Sequence, residues 1–202
     1  MDTQDIRTLK ILQEFNEQNS PSQRYLAKKL NLSLGLVNAF LKRLAQKGYF
    51  KITTIPKNRA RYILTPQGAV EKARLTYEYV RYSLNYYRSA KDNLQLLFND
   101  LESQGIQDIA FYGASDLAEI AYITLQGTSL RLKGIMTDQP QKKKFMGMKT
   151  ISIKNISTIP YDKILITAMD DIKACKKRLT RYGVHPDKIV TYDPTTTSGP
   201  IG

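Results

Sequence analysis

A chain of 202 residues with 31 Lys and Arg against 18 Asp and Glu, a net charge of +13, calls for an anionic partner and is long enough for two small domains. One cysteine, Cys175, excludes an internal disulfide framework, and one histidine, His185, leaves no zinc set. No apolar run reaches transmembrane length and the N-terminus MDTQDIRTLK lacks the apolar core of a signal peptide, so a cytoplasmic protein with no membrane partner is expected.

In chain order, residues 3 to 17 read as an opening helix, with Ile6, Leu9, Leu12 and Phe15 on one side and Ile11 adjoining. Asn19, Ser20 and Pro21 end it. Ser22 is a good N-cap for a short second helix containing Tyr25, Leu26, Lys29 and Leu30. Asn31 and Leu32 break that helix, and Ser33 offers the next cap. Leu36, Val37, Phe40, Leu41 and Leu44 then form an apolar stripe that ends at Gly48. Two helices joined by a turn of three or four residues are either a plain antiparallel pair or a helix-turn-helix, whose second member enters the DNA major groove. Tyr49 to Ile55 and Ala60 to Leu64 are strand-like, and Pro56, Lys57, Asn58 and Arg59 make a basic turn between them, which is a wing. Charge follows the same outline: residues 1 to 70 carry +8, residues 71 to 104 carry 0 and residues 105 to 202 carry +5.

This stretch resembles the winged-helix MarR-type regulators, and more closely their exopolysaccharide-associated subgroup. The resemblance rests on Gln23-Arg24, Leu26-Ala27, Ser33-Leu34-Gly35, Asn38, Leu41-Lys42, Lys47-Gly48, Leu64-Thr65-Pro66, Gly68 and the run EKARLT from Glu71 to Thr76. It implies double-stranded DNA as partner and polysaccharide-biosynthesis genes as targets. Ser33, Gly35, Asn38 and Lys42 are placed on or near the solvent face of the second helix, with Asn38 reaching base edges and Lys42 meeting phosphate. Ser22, Gln23 and Arg24 start the first helix, and Lys57, Asn58, Arg59 and Arg61 serve the wing; together these residues complete the expected DNA-binding set.

Thr65-Pro66 caps a long helix running to about Ser103. Taking Val70 as heptad position a, the seam is Val70, Ala73, Tyr77, Val80, Leu84, Tyr87, Lys91, Leu94, Phe98 and Leu101. It reads as a linking and dimerisation helix, with Tyr77, Val80, Leu84, Tyr87, Leu94 and Phe98 at a homodimer contact; Lys91 interrupts the seam, which leaves an unbroken helix and a break near Ser89 to Asn93 both open.

After Gly105 strands and helices alternate: Asp108 to Tyr112, a helix Leu117 to Leu125, Leu130 to Thr137, a short strand Thr150 to Ile153, and an irregular or briefly helical segment, Asn155 to Pro160. A strand Lys163 to Ala168, a basic helix Ile172 to Tyr182 and a last strand Lys188 to Tyr192 follow. This pattern predicts a small parallel sheet of order 3-2-1-4-5, with a ligand site at the carboxyl ends of its strands. Cys175 is a packing residue of the basic helix, and His185 is a solvated loop residue. Gly113 opens a turn whose free amides would hold a phosphate, and Asp138 would accept from a ribose hydroxyl. Ser115 and Ala118 replace the second and third glycines of the dinucleotide fingerprint, which leaves a dinucleotide site and a purely structural unit both open. Residues 106 to 192 resemble Rossmann-like nucleotide-sugar-processing and CoA-binding-like modules, through YGAS, GIMTD, FMGMKTISI and YDKILITA. That resemblance implies a ligand pocket of Tyr112, Gly113, Ala114, Ser115, Asp138, Thr167, Ala168 and Met169. The run Lys142-Lys143-Lys144 reads as solvated.

The expected protein is therefore a two-domain α/β chain: residues 1–66 a winged helix, 67–104 the linking helix, and 105–202 a Rossmann-like sensing domain. Its function would be regulation of transcription as a dimer, with no enzymatic activity, no metal and no obligatory cofactor. A nucleotide or nucleotide sugar would act as effector. Three alternatives stand beside this reading: an NAD(H)-responsive redox-sensing repressor, an enzyme acting on a sugar nucleotide, and a non-enzymatic assembly factor without DNA binding.

Overall fold

The computed structural model describes residues 1–15, 20–55, 59–140 and 144–192, and of Ile55 and Arg59 the backbone only. The chain divides into two compact units, Met1–Leu84 and Asn85–Gly202.

The first unit is a three-helix core with a hairpin. Helix α1 (Thr3–Gln13) is capped by the Asp2 carboxylate, which accepts from the Asp5 amide at 2.7 Å. Helix α2 (Gln23–Leu30) starts at Ser22, whose hydroxyl accepts from the Tyr25 amide, and ends at Asn31, a left-handed residue with φ of 52°. Ser33 caps helix α3 (Leu34–Gln46) in the same way, through the Leu36 amide. Strands β1 (Phe50–Ile55) and β2 (Arg59–Leu64) pair antiparallel, with Phe50 opposite Leu64 and Ile52 opposite Tyr62. Leu9, Leu12, Phe15, Leu26, Val37, Leu41, Leu44, Phe50, Tyr62 and Leu75 share one core, in which the Phe15 and Phe50 rings lie 4.5 Å apart. Truncating one fully buried leucine of such a core, Leu41 for instance, costs about 2–5 kcal/mol.

Helix α4 (Pro66–Ser103) is the long helix expected and runs unbroken for 38 residues: the segment from Ser89 to Asn93 stays helical, and Ala90 within it is fully buried. Lys91 interrupts the apolar pattern without cost because it points to solvent. The Thr65 hydroxyl accepts from the Gly68 amide at 3.0 Å and donates to the Gly48 carbonyl at 2.6 Å, tying the helix start to the end of α3. Gly68 is required there, because an added Cβ would lie 2.2 Å from the Tyr49 carbonyl oxygen.

The heptad seam is used unevenly. Leu94, Phe98 and Leu101 are buried in the second unit's own core, so Leu94 and Phe98, expected at a dimer contact, are already covered by their own chain. Val70, Tyr77, Val80 and Leu84 are exposed, Val70 by 71% and Tyr77 by 69%. The first unit instead packs on Leu75 and Gly68, from another side of the same helix.

The second unit is a five-stranded, all-parallel sheet. Strands β3 (Asp108–Tyr112), β4 (Arg131–Thr137), β5 (Ile151–Ser152), β6 (Lys163–Ile166) and β7 (Ile189–Thr191) take the order β5-β4-β3-β6-β7, the predicted 3-2-1-4-5. Period-two alternation divides the side chains between two faces. Ile109, Phe111, Ile135 and Leu165 meet helix α5 (Asp116–Leu125) and the end of α4. Ala110, Tyr112, Met136, Ile164 and Ile166 meet helix α6 (Ile172–Arg181) and a 3-10 turn, Ile153–Thr158, which overlaps the segment expected to be irregular or briefly helical. Cys175 is fully buried on that second face. His185 is an exposed loop residue that caps a 3-10 turn, Pro186–Lys188. The Asp162 carboxylate accepts from the Gln107 and Asp108 amides at 3.0 and 2.9 Å, and those bonds hold it below the usual carboxylate range.

Candidate nucleic-acid interface and a C-terminal cleft

The outward face of α3 is built by the stripe that buries Val37, Leu41 and Leu44: a helix buried on one side presents the residues in between to solvent. Gly35, Ala39, Lys42 and Gln46 are exposed and Asn38 is half-buried. An added Cβ at Gly35 meets nothing within 4 Å, so the fold itself does not demand glycine, and an approaching backbone has room there. The side chains of Asn38 and Lys42 have no hydrogen-bond or ion-pair partner among the described residues and are free to meet one outside the chain.

The remaining expected DNA-binding residues divide by use. Ser22 and Ser33 spend their hydroxyls as caps, and Gln23 donates over 3.5 Å to the Tyr62 hydroxyl, bridging α2 to the hairpin. Arg24 is exposed. Arg61 projects from the side of the hairpin that carries Lys51, Thr53 and Ile63, and both cations there are exposed. Lys51 was not anticipated; the alternation of the strand would have revealed it. Lys57 and Asn58 lie outside the described residues, as do Lys142 and Lys143, and of Arg59 only the backbone is described.

At the carboxyl ends of β3, β4 and β6 lies an open cleft of about 220 Å³, lined by Tyr112, Gly113, Ala114, Ser115, Asp138, Ala168 and Met169, with Thr137, Gln139 and Asp170 in addition. Seven of the eight expected ligand residues meet there; the eighth, Thr167, is fully buried beneath. Most of their polar atoms are already engaged. The Gly113 amide donates to the Met136 carbonyl at 2.8 Å and the Leu117 amide to the Ser115 hydroxyl, so neither is left for a phosphate. The Ser115 hydroxyl donates to the Thr167 carbonyl at 2.5 Å, and the Thr167 hydroxyl donates to the Gly113 carbonyl at 2.6 Å.

Gly113 has an internal reason to be glycine. Its φ is 115°, and a Cβ would stand 2.3 Å from the Ala168 nitrogen, where the loops after β3 and β6 cross. Asp138 is held by Arg178 of α6 and accepts from the Tyr112 hydroxyl at 2.8 Å, while Arg178 also donates to that hydroxyl at 3.1 Å. Burial, and then the bond to Asp138, push the Tyr112 hydroxyl well above the usual phenol range. Sequence spacing could not reveal this pairing, since Arg178 stands 40 residues after Asp138 on a helix that reads simply as basic.

Among the described residues no group of three His, Cys, Asp or Glu side chains could hold a metal ion, and no helix is long and apolar enough to cross a membrane.

Residues 1–51 match the family model described as winged helix-turn-helix DNA-binding. With the helices, hairpin and free outward face of α3, that match makes the first unit a DNA-binding module and the chain a DNA-binding transcription regulator. Comparison with curated proteins finds no match.

Proposed function

We propose that the protein regulates transcription as a homodimer, paired through the exposed side of α4, and that occupation of the C-terminal cleft adjusts its hold on DNA. The observation that carries the dimer is the second apolar face of α4. Val70, Tyr77, Val80 and Leu84 recur at heptad spacing beside a groove lined by Ala69, Lys72, Ala73, Thr76, Tyr77 and Val80, while the first unit packs on Leu75 and Gly68. Tyr77 brings an exposed aromatic ring to this face, a residue type enriched at interface cores. A second copy is the occupant that suits both the seam and the function, because two-fold pairing sets two recognition helices one DNA turn apart, about 34 Å.

For the effector we propose a nucleotide sugar held chiefly by its hydroxyls. Asp138 and Asp170 line the cleft and Asp116 begins α5, and carboxylates of this kind accept hydrogen bonds from sugar hydroxyls. The NAD(H)-responsive alternative is disfavoured by Ser115 and Ala118, which stand where the dinucleotide fingerprint has its second and third glycines. Polysaccharide-biosynthesis genes as targets follow from the sequence resemblance alone. A ligand would act by binding one dimer arrangement more tightly than the other.

Sedimentation of the purified chain, with operator binding measured on one and two half-sites, tests the dimer: a two-fold species that prefers paired half-sites supports it, and a monomer refutes it. Calorimetric titration with UDP-glucose, UDP and NADH tests the cleft. Binding of UDP-glucose alone supports the proposal, and binding of NADH in its place restores the redox reading.

A further inference from the structure

Beside the recognition helix lies a cleft of about 260 Å³ that the expected DNA-binding residues do not include. It is lined by Gln4 and Arg7 from α1 and by Leu36, Ala39, Phe40 and Arg43 from α3. No acidic side chain lines it, and neither arginine has an ion-pair partner among the described residues. The Arg43 guanidinium rests over the Phe40 ring at 4.8 Å, and its Nε is buried with no hydrogen-bond partner. That nitrogen is closed to outside acceptors, but the two terminal guanidinium nitrogens are neither buried nor hydrogen-bonded, and they stand beside a second arginine that has no ion-pair partner among the described residues.

Position supplies the acceptor. At about 100° per residue, Gly35, Lys42 and Gln46 cluster on the outward line of α3, while Arg43 and Leu36 fall roughly 80–100° round from it. On the opposite flank Lys42, Ala45 and Gln46 border Phe50 and Ile52 of the hairpin. A helix lying in the major groove meets base edges with its outward line and the sugar-phosphate walls with its flanks.

We propose that Arg7 and Arg43, with Gln4, form a phosphate-binding rail for duplex DNA on the α1 side of α3, opposite the wing. The guanidinium fork fits a phosphate through two parallel donors, and Phe40 fixes the Arg43 plane before DNA arrives. The inference rests on the DNA-binding reading and adds a second contact line to it.

The test is a salt titration of the full chain on operator and random duplexes, comparing wild type with Arg7→Ala, Arg43→Gln, Lys42→Ala and Lys176→Ala. Arg7 is exposed and its side chain makes no contact that α1 needs, so its variant separates binding from folding; Lys176, exposed on α6, is the control for net charge. The expected result for Arg7→Ala is binding roughly five- to tenfold weaker at 0.1 M salt on both duplexes, with a salt slope shallower by about 0.9. Arg43→Gln changes in the same direction, and Lys176→Ala leaves both quantities unchanged. Wild-type behaviour of Arg7→Ala and Arg43→Gln while Lys42→Ala weakens binding overturns the rail and leaves the DNA reading intact. An equal loss in Lys176→Ala, or a loss confined to the operator, also overturns it. Absence of salt-dependent binding in the wild type removes the DNA reading and the rail together.

Discussion

The two units handle their polar side chains in opposite ways. On α3, Asn38 and Lys42 have no partner among the described residues and Gly35 leaves open space, so the surface is free to accept one. At the strand ends of the second unit, Tyr112, Ser115, Asp138, Thr167 and Arg178 satisfy one another. Residue types in the expected places therefore carry different weight in the two units. A donor free at a helix face can serve an external acceptor at once, whereas a donor already paired must first give up its bond.

The largest effect that would break this contrast lies on α4. Val80→Glu with Leu84→Glu places charge on the proposed seam and is expected to weaken binding to paired half-sites by about 100-fold or more while sparing a single half-site, as loss of a linked second contact requires. Equal binding by variant and wild type in a mobility-shift titration would mean that the first unit works alone.

Gly113→Ala comes next. A Cβ overlapping the Ala168 backbone at a positive φ should destabilise the second unit by roughly 2–4 kcal/mol in chemical unfolding. A neutral outcome would leave Gly113 with no structural reason and return it to ligand duty.

On the first unit, Asn38→Ala should cost about 1–3 kcal/mol on the operator and little on random sequence, read by anisotropy at fixed salt. A uniform loss would demote Asn38 to a positioning contact.

A smaller effect concerns acid. Asp162 has a folded-state pKa below its unfolded value, because the Gln107 and Asp108 amides favour its charged form. Its stabilisation is therefore present above the ordinary carboxylate range and is lost as pH falls below about 4 and through the folded value. Asp162→Asn should lower the melting temperature at pH 7 and narrow the difference from wild type in acid.

The smallest expected change is in Arg178→Ala. The Arg178–Asp138 pair is more than a third exposed on both sides, so solvent screens it and removing it should shift the unfolding midpoint little. What sharpens the comparison is ligand binding: if freeing Asp138 strengthens binding of UDP-glucose, Arg178 competes with the ligand for that carboxylate.

Much of the fold was legible because its signals are local. Ser22, Ser33 and Thr65 cap helices where their hydroxyls are expected, and alternating apolar strands with single helices lead to the order β5-β4-β3-β6-β7. What escaped the sequence is non-local. Heptad spacing along α4 does not say which apolar side its own chain will use, and Leu75 rather than Val70 proved to be the one covered. Likewise, the occupation of Asp138 by Arg178 depends on how α6 lies against the sheet. Arg7 and Arg43 escaped because α1 reads only as a backing helix until its exposed side is set beside α3.

The most direct measurement is the affinity of the wild-type chain for a paired-half-site duplex as a function of salt. The account predicts steep weakening with rising salt, a slope equivalent to several phosphate contacts, and clear preference over a single half-site. Binding that is absent, or indifferent to salt and half-site pairing, would contradict it.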